Sequence, residues 1–172
     1  MDILRSAIEV AKKNNISIIV LASTTGNTAL KFLDLVKAET LEVIVVTHDE
    51  GMATQEKRFN EDSRRLLLAH NITVYTHNLP GSLPRKIMAK VLARFDFSPW
   101  HRHLKEIKTK YGTGIKVAHI IVQMLMEGKM LKYNRVVAIA GRKSGADSAA
   151  IFRIEPKNRW PALEEIIIAH QQ

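Results

Sequence analysis

The chain has 172 residues, of which 46% are hydrophobic and 25% charged, a composition and a length that suit one globular domain with a buried core. It contains no cysteine, which excludes disulfides and thiolate metal sites. No apolar run approaches the roughly 18 to 20 residues of a membrane-spanning helix, and the first residues lack the build of a signal peptide. We therefore expect a single domain over residues 1–172, cytoplasmic and without a membrane partner.

The net charge of +9 is concentrated in one segment of the chain. Residues 85–143 carry 14 lysines and arginines against three acidic residues, whereas the segments on both sides are slightly acidic. Such a basic segment can bind nucleic acid, an anionic metabolite or an acidic protein, or it can be a solvated surface. The sequence alone leaves these alternatives open.

Hydrophobic periodicity predicts helices and strands that alternate along the first half of the chain. The near-continuous apolar run Val43–Val46 is typical of a parallel strand that is covered on both faces. The elements predicted here are a helix over residues 2–14, a strand over 16–22, a helix over 27–37, a strand over 41–47, a helix over 57–70 and a strand over 72–76.

The second half of the chain continues this alternation. We predict helices over residues 85–95 and from 112–114 to about 126, separated by a break at 96–100, and strands over 135–140, 149–154 and 166–168. The later helix is apolar around nearly its whole axis, which indicates a buried helix or the interface of a homo-oligomer. The connection between the strands over 135–140 and 149–154 is too short for a parallel crossover, so we expect that pair to be antiparallel.

Alternating strands and helices indicate the α/β class. We predict a three-layer domain in which a mostly parallel sheet of five to six strands has helices on both faces.

A hydroxyl-rich turn with one glycine, here called turn A, follows the first predicted strand and precedes a helix. Unpartnered amides and the helix dipole make a helix N-terminus an anion site, and glycine lets the backbone approach a ligand closely. We interpret turn A as a phosphate-binding site, although it lacks the lysine of a P-loop and the three glycines of a dinucleotide fingerprint. The alternative is that its side chains only cap the helix. Turn A consists of Ser23, Thr24, Thr25, Gly26, Asn27 and Thr28.

A second turn, here called turn B, spans residues 141–148 after the strand over 135–140. In open α/β sheets the ligand binds beyond the carboxyl ends of the strands, where the strand order reverses. If the strands over 16–22 and 135–140 are neighbours, turns A and B face one crevice, and a guanidinium and an ammonium of turn B can bind a phosphate. The residues of turn B expected to contact the ligand are Gly141, Arg142, Lys143, Ser144 and Gly145.

Other candidate residues lie near the same edge of the predicted sheet. We expect Thr47, His48, Gly112, Thr113, Gly114 and Lys116 to line the pocket, although Thr113 can also be a simple helix cap. The run His48–Glu50 can supply a base or bind Mg²⁺, or be a solvated loop. The run Trp100–His103 suggests a metal, or an ordinary surface. We predict no metal, and no nucleophile and base stand at a recognisable spacing.

The order of these features resembles the carboxyl-terminal α/β domain of pyruvate kinase, and most closely the stand-alone archaeal proteins of that domain type. The matching residues are Ser23, Thr25, Gly26, Thr28 and Ala29 followed by Val46-Thr47, then Val136–Gly141 with Gly145 and Ile151–Ile154, together with Thr47-His48, Gly112-x-Gly114-x-Lys116-Val117 and Gly145-Ala146-Asp147. The resemblance implies a five-stranded, mainly parallel sheet. It also implies that turn A grips a phosphate of an effector while Arg142, Lys143 and Gly145 close over it.

Pyruvate kinase catalysis belongs to a barrel domain that this sequence lacks, so we expect no pyruvate kinase activity. The expected ligand is flavin mononucleotide, a nucleotide or a sugar phosphate, and the expected role is regulatory or ligand-binding. Flavin mononucleotide is included because the predicted pocket combines a phosphate end with an apolar crevice for a flat ring. The alternatives are a flavin- or nucleotide-dependent enzyme of unknown reaction, and a nucleic-acid-binding protein that uses residues 85–143.

Overall fold

The structure, a computed structural model, describes residues 2–47, 58–76, 99–131, 134–142, 145–155 and 157–168. The elements in these ranges follow the predicted alternation, and the helix predicted over 85–95 lies outside them. In chain order they are α1 (Ile3–Lys13), β1 (Ile18–Ala22), α2 (Asn27–Val36), β2 (Glu42–Thr47), α3 (Glu61–Ala69), β3 (Thr73–Thr76), α4 (Pro99–Glu127), β4 (Arg135–Arg142), β5 (Gly145–Arg153) and β6 (Ala162–Ile168).

One mixed sheet holds the six strands in the order β3-β2-β1-β4-β5-β6. The pairs β3–β2, β2–β1 and β1–β4 are parallel, whereas β4–β5 and β5–β6 are antiparallel. The predicted α/β class is therefore confirmed, as are the neighbouring positions of β1 and β4 and the antiparallel β4–β5 pair. The prediction of a mostly parallel sheet is right only in part, because the β5 side of the sheet is antiparallel.

Helices cover both faces of the sheet because its strands are apolar on both. Ile19 and Leu21 of β1 pack into a core with α1, α2 and α3, whereas Val20 packs into a second core with α4. This gives the three predicted layers. Within the described ranges, no helix combines the length and the apolar composition that crossing a membrane requires.

Helix α4 bends sharply at Gly112, whose φ of 88° and ψ of 174° are not helical. In a straight helix the sixteen steps from His103 to His119 would span about 24 Å, yet the ring centroids of these two histidines are 5.0 Å apart. The chain therefore folds back at Gly112, and we call residues 99–111 the first arm and residues 113–127 the second arm. The predicted break at 96–100 is wrong for its last two residues, because Pro99 fits the first turn of a helix.

The second arm of α4 is the apolar helix that the sequence predicts from residues 112–114 to about 126. Ile115, Ala118, Val122 and Leu125 are buried in the core that α4 forms with the sheet. Burial within the chain accounts for much of its apolar surface, and a homo-oligomer stays a prediction.

Turn B is shorter than predicted because β4 and β5 continue into it. Gly141 pairs with Ala146 and Arg142 with Gly145, after a register shift between Ala140 and Gly141. A Cβ atom on Gly141 would overlap the carbonyl oxygen of Gly145. The predicted loop over 141–148 is thus a hairpin, and most of its backbone belongs to the antiparallel ladder.

Smaller differences occur at other element ends. Helix α3 begins at Glu61 instead of residue 57, because the Asn60 side chain caps it by accepting a hydrogen bond from the Ser63 amide at 2.8 Å. Strand β6 begins at Ala162, four residues before the predicted start, because it pairs with β5 from Arg153 onward.

We predict that Gly114→Ala lowers the free energy of unfolding by about 1 to 3 kcal/mol, because the added Cβ would overlap the Ser148 side chain on β5. Chemical denaturation of both proteins measures the difference. In an unobstructed helix the same change would stabilise by up to about 1 kcal/mol, so a stabilised variant would contradict the packing. As a control, adding Ser148→Gly should recover part of the loss.

Candidate functional site

Turns A and B lie at the same edge of the sheet. Strands β1 and β4 run parallel, and the last of their paired positions are Leu21 and Ile139. Ser23 and Gly141 each lie two residues beyond these positions, so both turns leave the sheet at its carboxyl edge. The strand order reverses between β1 and β4, and such a reversal opens a crevice in α/β sheets.

Turn A is held in place by hydrogen bonds from β2 and from the residue before α3. The Ser23 amide donates to the Val46 carbonyl at 3.1 Å, and the Asn60 amide donates to the Thr25 carbonyl at 3.1 Å. The Thr47 hydroxyl donates to the Thr24 carbonyl at 3.3 Å. Ser23 and Thr47 are buried, so these two residues brace the turn.

Gly26 occupies the N-cap position of α2 with a left-handed φ of 99°, and among the described residues no side chain caps this helix. The alternative in which the polar residues of turn A serve only as a cap is therefore not realised. A Cβ on Gly26 would lie 3.0 Å from the Cβ of Ser63 and 3.3 Å from the ring of Phe59. The glycine is thus explained by its φ and by packing against the α3 segment.

The remaining residues of turn A face outward to different degrees. Thr24 and Asn27 are exposed, and Thr25 and Thr28 are half-buried. Their hydroxyl and amide groups can therefore meet a ligand at the start of α2.

The second arm of α4 reaches the same edge of the sheet. Gly114 lies against Asp147 and Ser148 at the start of β5, which places Gly112, Thr113 and Lys116 beside turn B. The Ser148 hydroxyl donates to the Asp147 carboxylate at 2.8 Å. This carboxylate limits where an anion can sit, because like charges repel at short range.

Several predicted site residues lie outside the described part of the chain. These are His48, Lys143 and Ser144, together with the Asp49 and Glu50 of the Mg²⁺ alternative, and the Arg142 side chain is not described either. Their contact with a ligand stays a prediction. Among the described residues, no three or more metal-binding side chains form a group.

The structure adds neighbours that local sequence patterns did not reveal. Phe59 and Ser63 pack against Gly26, and the Arg64 guanidinium lies 5.1 Å from the centre of the Phe59 ring. Arg64 also donates to the Thr76 hydroxyl at 3.4 Å. The Asn60-x-x-Ser63 spacing indicates a helix cap, but nothing local indicates the contact with turn A.

The basic segment presents part of its charge on the first arm of α4. Arg102 and Lys108 are exposed there. Nucleic-acid binding by residues 85–143 stays a prediction.

A second cluster of chemically active side chains lies between the arms of α4. His103 stacks on Trp160 with ring centroids 4.7 Å apart, and His119 contacts Trp100 at 5.4 Å and Phe152 at 5.2 Å. His119 is only 1% exposed, and its ring nitrogens have no hydrogen-bond partner among the described residues. Burial, with a smaller contribution from His103, lowers the pKa of His119 to about 4.

We predict that His119 makes stability depend on pH below neutrality. Its pKa is about 4 in the folded protein and about 6.5 when unfolded, so the unfolded state binds more protons between these values. The stability that depends on a neutral His119 is therefore fully present above the unfolded pKa of about 6.5 and is lost as the pH falls toward 4. Between pH 7 and pH 5 the loss should be about 2 kcal/mol, measured by urea unfolding at each pH.

His119→Phe provides the matched control, because it keeps a ring in the same place and removes the titrating group. Its stability should change with pH by about 2 kcal/mol less than that of the parent over the same interval. Equal pH dependence in the two proteins would contradict the assignment of a buried neutral imidazole.

A family comparison agrees with the α/β fold. The family model described as pyruvate kinase, alpha/beta domain matches residues 1–154 of the 172 residues. The match includes turns A and B and ends just after β5, before β6 begins. The chain therefore belongs to the pyruvate kinase alpha/beta domain family.

Proposed function

We propose that this protein binds a phosphorylated small molecule, namely flavin mononucleotide, a nucleotide or a sugar phosphate, in the crevice between turns A and B. The observation that carries the proposal is that α2 begins without a side-chain cap at the point where the strand order reverses. The family assignment is consistent with this ligand-binding or regulatory role.

The start of α2 offers a phosphate both charge and hydrogen bonds. The first amides of a helix have no partner within it, and the helix dipole adds partial positive charge. Thr24, Thr25, Asn27 and Thr28 are the members of turn A that solvent reaches. We therefore assign phosphate binding to these four residues, and bracing of the turn to Ser23 and Gly26.

Counter-charge would come from the other side of the crevice. Arg142 and Lys143 are adjacent in the β4–β5 hairpin sequence, and an arginine can bind a phosphate through two hydrogen bonds. Lys116, one turn into the second arm of α4, is half-buried near the same edge. We infer that these cations offset the repulsion from Asp147.

The first test compares each phosphorylated compound with its phosphate-free partner. Thermal unfolding is followed with flavin mononucleotide against riboflavin, AMP against adenosine, and glucose 6-phosphate against glucose. At least one phosphorylated member should raise the unfolding temperature more than its partner, because ligands that bind only the folded state stabilise it. Equal effects within all three pairs would contradict a phosphate site.

Variants locate the site. We predict that Thr25→Ala/Thr28→Ala weakens binding of the stabilising compound by about 1 to 3 kcal/mol through lost hydrogen bonds to a charged group, measured by calorimetric titration. Ser17→Ala is the matched control, since Ser17 is exposed before β1 at the opposite edge of the sheet. Unchanged affinity in the double variant would place the phosphate elsewhere.

A further inference from the structure

A cavity of about 510 Å³ lies between the arms of α4 and β6, and its wall shares no residue with the crevice described above. Its volume is within the range of small-molecule sites. The first arm contributes His103, Ile107 and Tyr111 to its wall, the second arm contributes His119, and β6 contributes Leu163 and Ile166. Strand β6 lies beyond residue 154, where the family match ends.

Two histidines of the cavity wall have buried nitrogens without hydrogen bonds. Both ring nitrogens of His119 and the Nε2 of His103 have no partner among the described residues. The His119 side chain is almost fully buried. An unsatisfied buried donor or acceptor destabilises a protein, so these atoms favour a ligand that can pair with them.

We propose that this cavity binds a flat, uncharged nitrogen heterocycle that carries a hydrogen-bond donor beside an acceptor, as the edge of a nucleobase does. A neutral imidazole has one N–H donor and one acceptor nitrogen. The two nitrogens of one imidazole point in divergent directions, so the donor and acceptor of one ligand edge would pair with one nitrogen of His119 and with the unpartnered Nε2 of His103. The rings of Tyr111 and His103 in the wall favour a flat ligand through stacking and edge contacts.

Charged ligands fit the cavity less well. An ammonium has only donors and cannot pair with an imidazole N–H, and a carboxylate or phosphate has only acceptors. Among the described residues of the wall, Glu106, Glu164 and Glu165 face one cation, Lys110. Arg135 pairs with Glu164, so the carboxylates outnumber the cations by one and disfavour an anion. Near neutral pH the His119 ring keeps one N–H donor and one acceptor nitrogen, because burial keeps the pKa of His119 at about 4.

Binding must disturb the stacked rings. The unpartnered nitrogens are covered in this structure, so the proposal requires the rings around them to move when a ligand binds. Trp100 and Trp160 are the two tryptophans of the chain, and their ring centroids are 5.5 Å apart in this cluster. Tryptophan fluorescence therefore reports on this cavity.

The test is a fluorescence titration of the full chain with adenine, uracil and nicotinamide, and with the charged rings benzoate and benzylamine. We expect a saturable change with at least one uncharged heterocycle and at least tenfold weaker binding of it to His119→Phe, which keeps the ring but loses both nitrogens. His70→Phe is the matched control, since His70 is exposed at the end of α3, and it should bind like the parent.

The proposal is overturned if none of the three heterocycles saturates, if His119→Phe binds them like the parent, or if benzoate or benzylamine binds as tightly. If His119→Phe does not fold by circular dichroism, His103→Phe takes the same test with the same criteria. Thr25→Ala/Thr28→Ala should bind the heterocycle like the parent, so the outcome here is independent of the phosphate site.

Discussion

The parallel pairing of β1 with β4 is the constraint on which the rest of the structure depends. The chain leaves β1 to build β2 and β3 on one side, crosses the sheet through α4, and returns beside β1 on the other side. Helix α2, which follows β1, and helix α4, which precedes β4, therefore lie on opposite faces of the sheet. In α/β sheets such a reversal of strand order is where a ligand crevice opens at the carboxyl edge, and the proposed phosphate site lies at this point.

In turn A, the residues that hold the turn in place differ from the residues that can contact a ligand. A glycine N-cap is less stabilising than a Ser, Thr, Asn or Asp cap by only a few tenths of a kcal/mol. Hydrogen bonds from Thr47 and Asn60 hold turn A through the carbonyls of Thr24 and Thr25, and so they do not use the first amides of α2. Among the described residues no side chain caps these amides, which is the arrangement that the proposed anion site needs.

Much of this fold could be predicted because its parallel strands are continuous apolar runs and its helices have clear periodicity. The short link between β4 and β5 was enough to predict that they are antiparallel. The start of β5 could not be predicted, since Asp147 and Ser148 are typical of loops and only pairing with β4 makes this segment a strand. The packing of Phe59 and Ser63 on Gly26 could not be predicted either, because it joins segments more than thirty residues apart.

The path of α4 could not be predicted from the sequence either. It buries His119 in a position where packing does not explain the choice of an imidazole. Pro99 and Gly112 both predict an interruption of a helix. In the structure, however, Pro99 begins α4, and the chain folds back at Gly112. This fold brings His119 into contact with Trp100 and His103. A phenylalanine would fill that position without burying unpaired nitrogens, each of which destabilises the folded state. Packing alone therefore gives no reason for an imidazole there, whereas a ligand with its own donor and acceptor does.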